Sequence, residues 1–377
     1  MHDFSAERPV QLPQPKQSHP EHSRKYRIVA LPGEGIGPEV VNACLTILQT
    51  LAEVEGFSLT VDHGWIGAAA QEKFGSPLPA ETLKKCRGTN GILFGSVTKG
   101  GLLELRRHFD FFINLRPVRP SPHLGYASPI KAERLKDVDL LFVRELVSGI
   151  YFGEAGRGID NQGAYGFHIM RYGDTDIRRI ARVALNYAHN RRGHLTVAHK
   201  ENALPQIPWT TLVQEEAQAF PEVTVEPMLV DNLAMQLVRR PQDFDVIVAG
   251  NLFGDILSDL GGAIASSIGL LGSASLNASG FGLYEAVHGT APDIAGKGIA
   301  NPLGTLAGAV LMLDQWGEYR AAERVRSLQN TILAQGYRTV DLYNPKSHQK
   351  QVKVTTSELT NLFDKALRHG ALGFTER

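Results

Sequence analysis

Short apolar runs alternate with amphipathic segments along most of the chain. The apolar runs predict buried strands at residues 26–31, 91–95, 140–143, 195–198 and 246–249. Apolar residues that recur every three or four positions predict helices at residues 40–54, 178–188, 212–220 and 303–316. Because strands that alternate with helices form layered structures, this pattern predicts an α/β fold with a mainly parallel sheet.

Two segments depart from this pattern. Residues 1–24 are polar and carry four prolines, so we expect a disordered N-terminal tail. Residues 151–175 are rich in glycine and tyrosine and offer few apolar side chains for a core. We expect this second segment to leave the body of the protein as a dimerisation arm.

Composition limits the classes of function. The chain has 377 residues, and its 39 lysines and arginines balance its 39 aspartates and glutamates. A neutral chain has no overall field that would hold a phosphate backbone, so we expect no nucleic-acid partner. The two cysteines, Cys44 and Cys86, cannot build a disulfide framework, fit a reducing cytosol and are expected in the core.

No segment predicts secretion or a membrane anchor. The N-terminus lacks a continuous apolar stretch and contains Asp3 and Glu7, which argues against a signal or transit peptide. The longest uncharged run lies between Asp259 and Glu285, and its glycines and serines favour close helix packing over a membrane span. We therefore expect a cytoplasmic protein without membrane contact.

A glycine-rich turn follows the first predicted strand. Its glycines, Gly33, Gly35 and Gly37, have one residue too few before the third glycine to match the dinucleotide-binding fingerprint. We interpret the segment as a tight strand-to-helix turn near a ligand cleft and assign no pyrophosphate to it.

Two aspartates are the first candidates for chemistry. Asp255 and Asp259 are four residues apart, a spacing that places both carboxylates on one face of a helix. Such a pair is often just a solvated face, but the neighbouring residues here are apolar. Hard cations such as Mg²⁺ or Mn²⁺ prefer these oxygen ligands, and Asp231 offers a third carboxylate.

Three arginines, Arg106, Arg116 and Arg144, are the cationic candidates. Arg144 ends an apolar strand, where its guanidinium could hold a carboxylate with two hydrogen bonds. The commoner fate of a single arginine is an internal ion pair, for example between Arg144 and Glu145. Three arginines together with an acidic metal site indicate a substrate with more than one carboxylate.

Two further residues are candidates for proton transfer. Lys200 follows a predicted strand, and burial beside a metal ion or arginines would lower its pKa and make it a base. Tyr151 could act as a general acid. Taken alone, Lys200 would more often be an exposed loop lysine and Tyr151 a packed aromatic residue.

These residues lie in motifs that resemble those of the β-decarboxylating dehydrogenases, the family of isopropylmalate and isocitrate dehydrogenases. The resemblance runs from about residue 26 to the C-terminus and is closest to the isopropylmalate dehydrogenases. The matching motifs are LPGEGIGPE (31–39), NLRP (114–117), VREL (143–146), GIYFG (149–153), VDN (230–232), MQ (235–236), NLFGDILSD (251–259) and HGTAPDIAGKGIANP (288–302).

The resemblance implies a fold of two parallel α/β domains with the active-site cleft between them. Residues 25–112 plus 266–377 would form the cofactor-binding domain. Residues 113–265 would form the substrate and dimerisation domain, which carries the arm. The family is homodimeric, and each active site is shared between two subunits.

The resemblance also implies a role for each candidate residue. The two malate carboxylates would be held by Arg106, Arg116 and Arg144. The divalent metal would be held by Asp255 and Asp259 together with Asp231 of the other subunit. Lys200, also from the other subunit, would take the proton of the C2 hydroxyl. Tyr151 would protonate the enol that remains after carbon dioxide leaves.

The expected cofactor is NAD, because of Asp293. In the family this position faces the adenosine ribose, where a carboxylate accepts hydrogen bonds from both hydroxyls and would repel a 2′-phosphate. Relatives that use NADP carry Lys-Tyr in place of Asp293-Ile294. The adenosine pocket would be completed by His288, Gly289, Ala291 and Asn301.

The substituent at C3 of the malate is the open question. Members that use isocitrate have Ser and Asn where this chain has Gly100 and Leu102. Leu102 and Leu103 match the apolar pair that contacts the isopropyl group in isopropylmalate dehydrogenases. However, the loop at residues 95–102 is much shorter than in those enzymes, and Lys99 stands where they have an acidic residue.

We therefore expect NAD-dependent oxidative decarboxylation of a 3-substituted malate to a 2-oxo acid, as in leucine biosynthesis. The substrate is either 3-isopropylmalate or a malate with a bulkier 3-alkyl or 3-aryl group, which a shorter loop would admit. One alternative is a dehydrogenase for homoisocitrate or another anionic 3-substituted malate, which Lys99 could attract. A non-catalytic regulatory paralogue is disfavoured because the base and metal residues are all present.

Overall fold

A computed structural model describes residues 24–347 and 350–369. The strands in these residues are β1 (Lys25–Gly33), β2 (Ser58–His63), β3 (Gly91–Ser96), β4 (Ile113–Val118), β5 (Leu140–Glu145), β6 (Ala155–Asp160), β7 (Gly163–His168), β8 (His194–His199), β9 (Thr224–Leu229), β10 (Val246–Ala249), β11 (Gly272–Leu276), β12 (Gly282–Ala286), β13 (Tyr337–Arg338) and β14 (Val352–Lys353). The predicted N-terminal tail lies outside the described residues, apart from Arg24.

The α-helices of the same residues lie between and after these strands. They are α1 (Gly37–Glu55), α2 (Ala68–Phe74), α3 (Ala80–Cys86), α4 (Leu102–His108), α5 (Ala132–Leu135), α6 (Asp174–His189), α7 (Trp209–Ala217), α8 (Val230–Arg239), α9 (Asn251–Ile264), α10 (Leu303–Trp316), α11 (Tyr319–Ala334) and α12 (Thr356–His369). No helix in the described ranges is long and apolar enough to cross a membrane.

The predicted elements are confirmed. The five apolar runs form β1, β3, β5, β8 and β10, and the four periodic segments form α1, α6, α7 and α10. Helix α7 begins three residues before its predicted start, directly after Pro208, because proline disfavours a helical conformation of the residue that precedes it. All six residues of β3 and of β5 are buried, which explains their continuous apolar sequences.

One ten-stranded sheet forms the centre of the molecule, in the order β2-β1-β3-β12-β11-β4-β5-β10-β8-β9. Strands β2, β1, β3 and β12 are parallel to one another, and so are β5, β10, β8 and β9. Strands β11 and β4 join the two sets through antiparallel pairings. The predicted α/β fold with a mainly parallel sheet is therefore confirmed.

The predicted domain boundary falls in the middle of this sheet. All strands of residues 25–112 and 266–377 that join it lie on the β2 side, and all strands of 113–265 that join it lie on the β9 side. Strands β11 and β4 pair across the boundary, with Ala274 opposite Leu115. The sheet is thus continuous, and its division into two domains stays a prediction.

Strands β6 and β7 form an antiparallel hairpin that leaves the main sheet. Every residue of β7 is exposed, and Ile159 on β6 is 84% exposed. The predicted excursion at residues 151–175 is thus present. That it joins two subunits stays a prediction.

The two cysteines lie in the core, as expected. Cys44 on α1 and Cys86 at the end of α3 are both free and buried. Burial raises the pKa of the Cys86 thiol to about 12 and that of Cys44 still further. Both side chains therefore behave as small apolar groups rather than as nucleophiles.

Candidate active site

Two of the predicted arginines lie side by side on neighbouring strands. Arg116 on β4 opposes Phe142, and Arg144 at the end of β5 opposes Asn114. Because alternate residues of a strand share a face, this register places both arginine side chains on the same face as diagonal neighbours. The sequence thus brings two buried cations together at the centre of the sheet.

The carboxylates of α9 meet these two arginines. Nη1 of Arg144 lies 2.5 Å from Oδ1 of Asp255, and Nη1 of Arg116 lies 2.7 Å from Oδ1 of Asp259. Arg116 also lies 3.5 Å from Asp255, so the four charges form one network. Burial raises the pKa of Asp259, and the neighbouring charge of Asp255 raises it further, whereas Arg116 opposes the shift.

Arg144 is held from a second side by Asn251, the first residue of α9. The side-chain oxygen of Asn251 accepts hydrogen bonds from Nε and Nη2 of Arg144, at 3.1 and 2.7 Å. The Asn251 amide nitrogen Nδ2 donates to the carbonyl of Ser148, and its backbone N–H donates to the hydroxyl of Tyr172. Burial lowers the pKa of Arg144 to about 10, while Asp255 acts in the opposite direction.

Glu145 is not the partner of Arg144. Its carboxylate accepts the backbone N–H groups of Val147 and Ser148 instead. The internal pair of Arg144 and Glu145, which the sequence left open, is therefore wrong.

Arg106 occupies a separate part of the same region. It lies in the last turn of α4, and its Nη2 donates to Oε1 of Glu285 on β12 at 3.0 Å. The Nε atoms of Arg106 and Arg116 are both buried without a hydrogen-bond partner in the described residues. Since buried donors are rarely left unpaired, these atoms call for an acceptor supplied by a ligand or by water.

Tyr151 joins the network through Asp255. Its hydroxyl donates to Oδ2 of Asp255 at 3.0 Å, and its ring centroid lies 5.9 Å from the guanidinium carbon of Arg144. Burial raises the pKa of Tyr151, and the adjacent Asp255 carboxylate raises it further. The hydroxyl therefore keeps its proton at neutral pH and can donate it.

Lys200 and Asp231 form a second, separate cluster. Strands β8 and β9 are parallel neighbours, so the residues that follow them meet at one edge of the sheet. Nζ of Lys200 lies 2.6 Å from Oδ1 of Asp231, whose side chain is 63% exposed. This hydrogen bond lowers the pKa of Asp231. Within the described residues, neither side chain has a hydrogen bond or ion pair with Asp255 or Asp259.

One chain does not assemble the predicted metal site. No group of three acidic, histidine or cysteine side chains in the described ranges could hold a metal ion. Asp255 and Asp259 are brought together, but Asp231 is not with them. The carboxylate oxygens of Asp255 and Asp259 are nevertheless the donors that Mg²⁺ and Mn²⁺ prefer, so the pair fits part of such a site.

The glycine-rich turn packs against the loop that follows β12. The backbone N–H of Ile36 donates to the carbonyl of Thr290 at 2.9 Å. A Cβ on Gly35, whose φ is +60°, would lie 2.0 Å from the same oxygen, so glycine is required there. The predicted tight turn is present and borders the loop that contains the expected adenosine-binding residues.

That loop holds the predicted cofactor residues together. Asn301 donates from Nδ2 to Asp341, and its oxygen accepts the backbone N–H of Leu303. Ile294 and Ala291 pack against the buried cluster around Ile36. The remaining predicted residues in this loop are His288, Gly289 and Asp293.

Two of these groups fit the adenosine part of a nucleotide. Nε2 of His288 is buried without a partner, and burial lowers the pKa of this ring, so it stays neutral. The Asp293 side chain is exposed and has no hydrogen bond or ion pair in the described residues. The neutral imidazole of His288 could donate or accept a hydrogen bond, and the unpaired carboxylate of Asp293 could accept hydrogen bonds from the hydroxyls of an adenosine.

The leucine pair begins α4. Leu102 packs against a buried cluster that includes Phe94 and Leu105. Leu103 is 42% exposed and lines a cavity of about 480 Å³ together with Tyr151. Of the two leucines expected to contact the substituent, only Leu103 borders this cavity.

The sequence profile of the isocitrate/isopropylmalate dehydrogenase family matches residues 27–363. The chain is 43% identical to 3-isopropylmalate dehydrogenase of Aquifex aeolicus, over 90% of this chain and 96% of that protein. It is 45% identical to 3-isopropylmalate dehydrogenase of Zymomonas mobilis, over 89% and 98% of the two chains. The chain belongs to the isocitrate/isopropylmalate dehydrogenase family.

The likeness extends to solved structures of the isocitrate/isopropylmalate dehydrogenase family. The crystal structure of isocitrate dehydrogenase from Methylococcus capsulatus superposes with a TM-score of 0.81 at 32% identity, and covers 91% of this chain and 100% of that one. The predicted family and fold, and the predicted class of β-decarboxylating dehydrogenase, are thereby confirmed.

Two residues that position the arginines, Asn251 and Glu285, were not among the site residues predicted from the sequence. Asn251 lies in the motif at residues 251–259 and begins the helix that carries the aspartates, but the motif alone indicates no contact with Arg144. Glu285 carried a usable signal, because it is a charge within the otherwise uncharged strand β12. A buried carboxylate requires a partner, and Arg106 was an available cation.

Proposed function

We propose that the protein oxidises and decarboxylates 3-isopropylmalate with NAD and Mg²⁺ or Mn²⁺, the cofactors that members of this family use. The observation that carries the proposal is the network of Arg116, Arg144, Asp255 and Tyr151. It combines cations for substrate carboxylates, carboxylates for a metal ion and a protonated hydroxyl. The identity to two 3-isopropylmalate dehydrogenases favours this substrate over isocitrate.

Substrate binding follows from the arginines. The substrate carries two carboxylates, and an arginine fork can hold a carboxylate with two parallel hydrogen bonds. The buried, unpaired Nε atoms of Arg106 and Arg116 offer such donors. Asp255 and Asp259, which pair with Arg144 and Arg116 in this chain, provide oxygen ligands for the metal.

When bound, NAD would supply a hydride acceptor for C2, and the divalent ion, held by Asp255 and Asp259, would supply positive charge for the C2 oxygen. The protein moves the protons. Lys200 takes the proton of the C2 hydroxyl, which makes C2 a better hydride donor. The carboxylate on C3 then leaves as carbon dioxide, and the electrons of the broken bond form an enolate. Tyr151, held protonated beside Asp255, returns a proton to C3.

The assignment requires a homodimer. Lys200 and Asp231 make no hydrogen bond or ion pair with Asp255 in the described residues, so a second copy would bring its own lysine and aspartate to the metal. Helix α9 exposes Ile256 to 60% and α8 exposes Met235 to 49%, and both residues lie close in sequence to the metal-binding aspartates. Apolar residues exposed beside a site favour a subunit interface there, and the exposed hairpin supports the same interpretation.

The choice of NAD and a cytoplasmic location are inferred from Asp293 and from the two cysteines. The unpaired Asp293 carboxylate favours the two free ribose hydroxyls of NAD over a 2′-phosphate, which it would repel. The buried, free cysteines fit the cytoplasm, where leucine biosynthesis would use this step. The partners we propose are a second copy of the chain and the small-molecule substrate. We propose no nucleic-acid or membrane partner.

A bulkier 3-alkyl or 3-aryl malate is a second candidate substrate. The cavity beside Leu103 measures about 480 Å³, within the range of about 300–1,000 Å³ typical of pockets for much larger ligands than a three-carbon group.

The test is turnover of 3-isopropylmalate by the purified protein with NAD and Mg²⁺, followed by NADH absorbance. We expect activity that exhaustive chelation removes and that Mn²⁺ restores. Asp255→Asn should lose at least about 100-fold in kcat because the metal loses a ligand. The matched control is Asp243→Asn, which changes an exposed pair with Arg240. Full activity of Asp255→Asn, or after chelation, would overturn the proposal.

A further inference from the structure

The cavity beside Leu103 is lined by further side chains besides the leucine. Leu103 and Arg107 lie four residues apart on α4, so they share one helix face about one turn apart. Both line the cavity, and Tyr151 and Phe152 line it from the segment after β5. A C3 substituent that extended past Leu103 into this cavity would meet Arg107 and Phe152.

Arg107 differs from the other arginines of the region. Arg106, Arg116 and Arg144 each bind a carboxylate, whereas the Arg107 side chain has no hydrogen bond or ion pair in the described residues. Its guanidinium carbon lies 5.0 Å from the ring centroid of Phe152. A cation at this distance from a ring face is attracted by the π electrons.

The charges that line the cavity do not select an anion. Glu104 lines it as well, and its carboxylate accepts the backbone N–H of Gly101 at 2.8 Å. One carboxylate and one guanidinium therefore offset each other. His108 lies on the same rim, where its Nε2 is 2.9 Å from Nη2 of Arg87. The remaining wall is a leucine and two aromatic rings.

We propose that Arg107 and Phe152 determine specificity for an aromatic ring on C3, so that the enzyme accepts a 3-arylmethyl malate such as 3-benzylmalate. An aromatic substituent would gain edge or offset contacts with the Phe152 ring and a cation–π contact with Arg107. The inference rests on the proposed function, because it assigns the C3 group of the same substrate.

The experiment compares kcat/KM for three substrates: 3-isopropylmalate, 3-benzylmalate and 3-(cyclohexylmethyl)malate. The last two have the same carbon skeleton, but only the benzyl group has π electrons. We expect the wild-type protein to turn over 3-benzylmalate. Arg107→Ala should lower kcat/KM for 3-benzylmalate by about 3- to 30-fold, the loss of one cation–π contact, and change the other two less than about twofold.

Two further variants sharpen the comparison. Phe152→Leu keeps an apolar wall and should also lower kcat/KM for 3-benzylmalate selectively. Lys73→Ala is the matched control, because Lys73 makes a cation–π contact with Trp65 and does not line the cavity. Unchanged melting temperatures would show that each variant is folded.

The outcomes separate the two proposals. Equal losses on all three malates in Arg107→Ala, or no turnover of 3-benzylmalate alongside good turnover of 3-isopropylmalate, would overturn the assignment of the aromatic pocket and leave the proposed function intact. No turnover of any malate would overturn the proposed function, and the specificity assignment with it.

Discussion

Lys200 donates a hydrogen bond to Asp231 at 2.6 Å, and neither residue has a hydrogen bond or ion pair with Asp255, Asp259 or Tyr151 in the described residues. The two halves of the proposed machinery are therefore not bonded to each other within one polypeptide. A site built from both halves needs two copies, each contributing one half to each site.

Subunit mixing tests this arrangement directly. Lys200→Met and Tyr151→Phe should each reduce kcat by at least about 100-fold, because each removes one proton-transfer group. Refolding the two variants together in equal amounts should restore activity to about a quarter of wild type, since half of the dimers would have one intact site. Activity that stays at the level of the separate variants, in mixtures shown to contain heterodimers, would contradict a shared site.

Asn251 should act as a positioning residue for Arg144. Its side-chain oxygen accepts two hydrogen bonds from the buried guanidinium, so Asn251→Ala leaves donors unpaired. Hydrogen bonds to charged groups contribute about 1.5–3 kcal/mol, which predicts a rise in KM for the malate of roughly 10- to 100-fold. Asn251→Asp keeps an acceptor and should recover part of the loss. Equal KM values in wild type and Asn251→Ala would exclude this role.

Glu145 should make stability depend on pH. Burial raises its pKa to about 7 from the ordinary 4.5, against the opposing effect of two backbone hydrogen bonds. Between these values the folded chain binds a proton that the unfolded chain has released, so the free energy of unfolding falls as pH rises. The contribution is present below about pH 4.5 and lost through pH 7, with an upper limit of about 3 kcal/mol.

The measurement for Glu145 is the melting temperature of wild type and Glu145→Gln from pH 5 to pH 8. Glutamine lacks the second oxygen that accepts Ser148, which costs stability at every pH. The informative quantity is therefore the difference between the two proteins, which should shift in favour of Glu145→Gln as pH rises. A difference that is constant with pH would show that Glu145 does not titrate in this range.

Asp293 should govern the choice of cofactor. Asp293→Ala should raise KM for NAD by roughly tenfold, because the ribose hydroxyls lose charge-assisted hydrogen bonds of about 1.5 kcal/mol. It should also raise kcat/KM for NADP, because the repulsion of the 2′-phosphate is removed. KM for the malate serves as the internal control and should not change. An unaltered ratio of NAD to NADP use would remove Asp293 from the proposed site.

The sequence was sufficient for the elements whose signal is local. Strand β5 has a mostly apolar sequence because both of its faces are buried. In α1 the apolar residues recur at helical spacing because one face of the helix packs against the core. The contact of Tyr151 with Asp255 could not be predicted from spacing, since 104 residues separate them. The resemblance to the family placed both residues in one site, but their hydrogen bond is known only from the three-dimensional structure.

The partners of Arg144 show why the rest was not predictable. Its neighbour in sequence, Glu145, was the obvious candidate for an ion pair, yet successive residues of a strand point to opposite faces. The actual partner, Asp255, comes from the helix after β10, which lies beside β5 in the sheet. Arg107 and Phe152 gave no sequence signal, because their stacking depends on how α4 faces the segment after β5.

The sheet order has a consequence for synthesis of the chain. Strands β11 and β12 fill the gap between β3 and β4, although they follow them by more than 150 residues in sequence. Until the ribosome has released residue 286, β3 and β4 each have an open hydrogen-bonding edge, and β3 is an apolar strand. Such edges recruit strands from other nascent chains, so this protein should depend on chaperones late in translation.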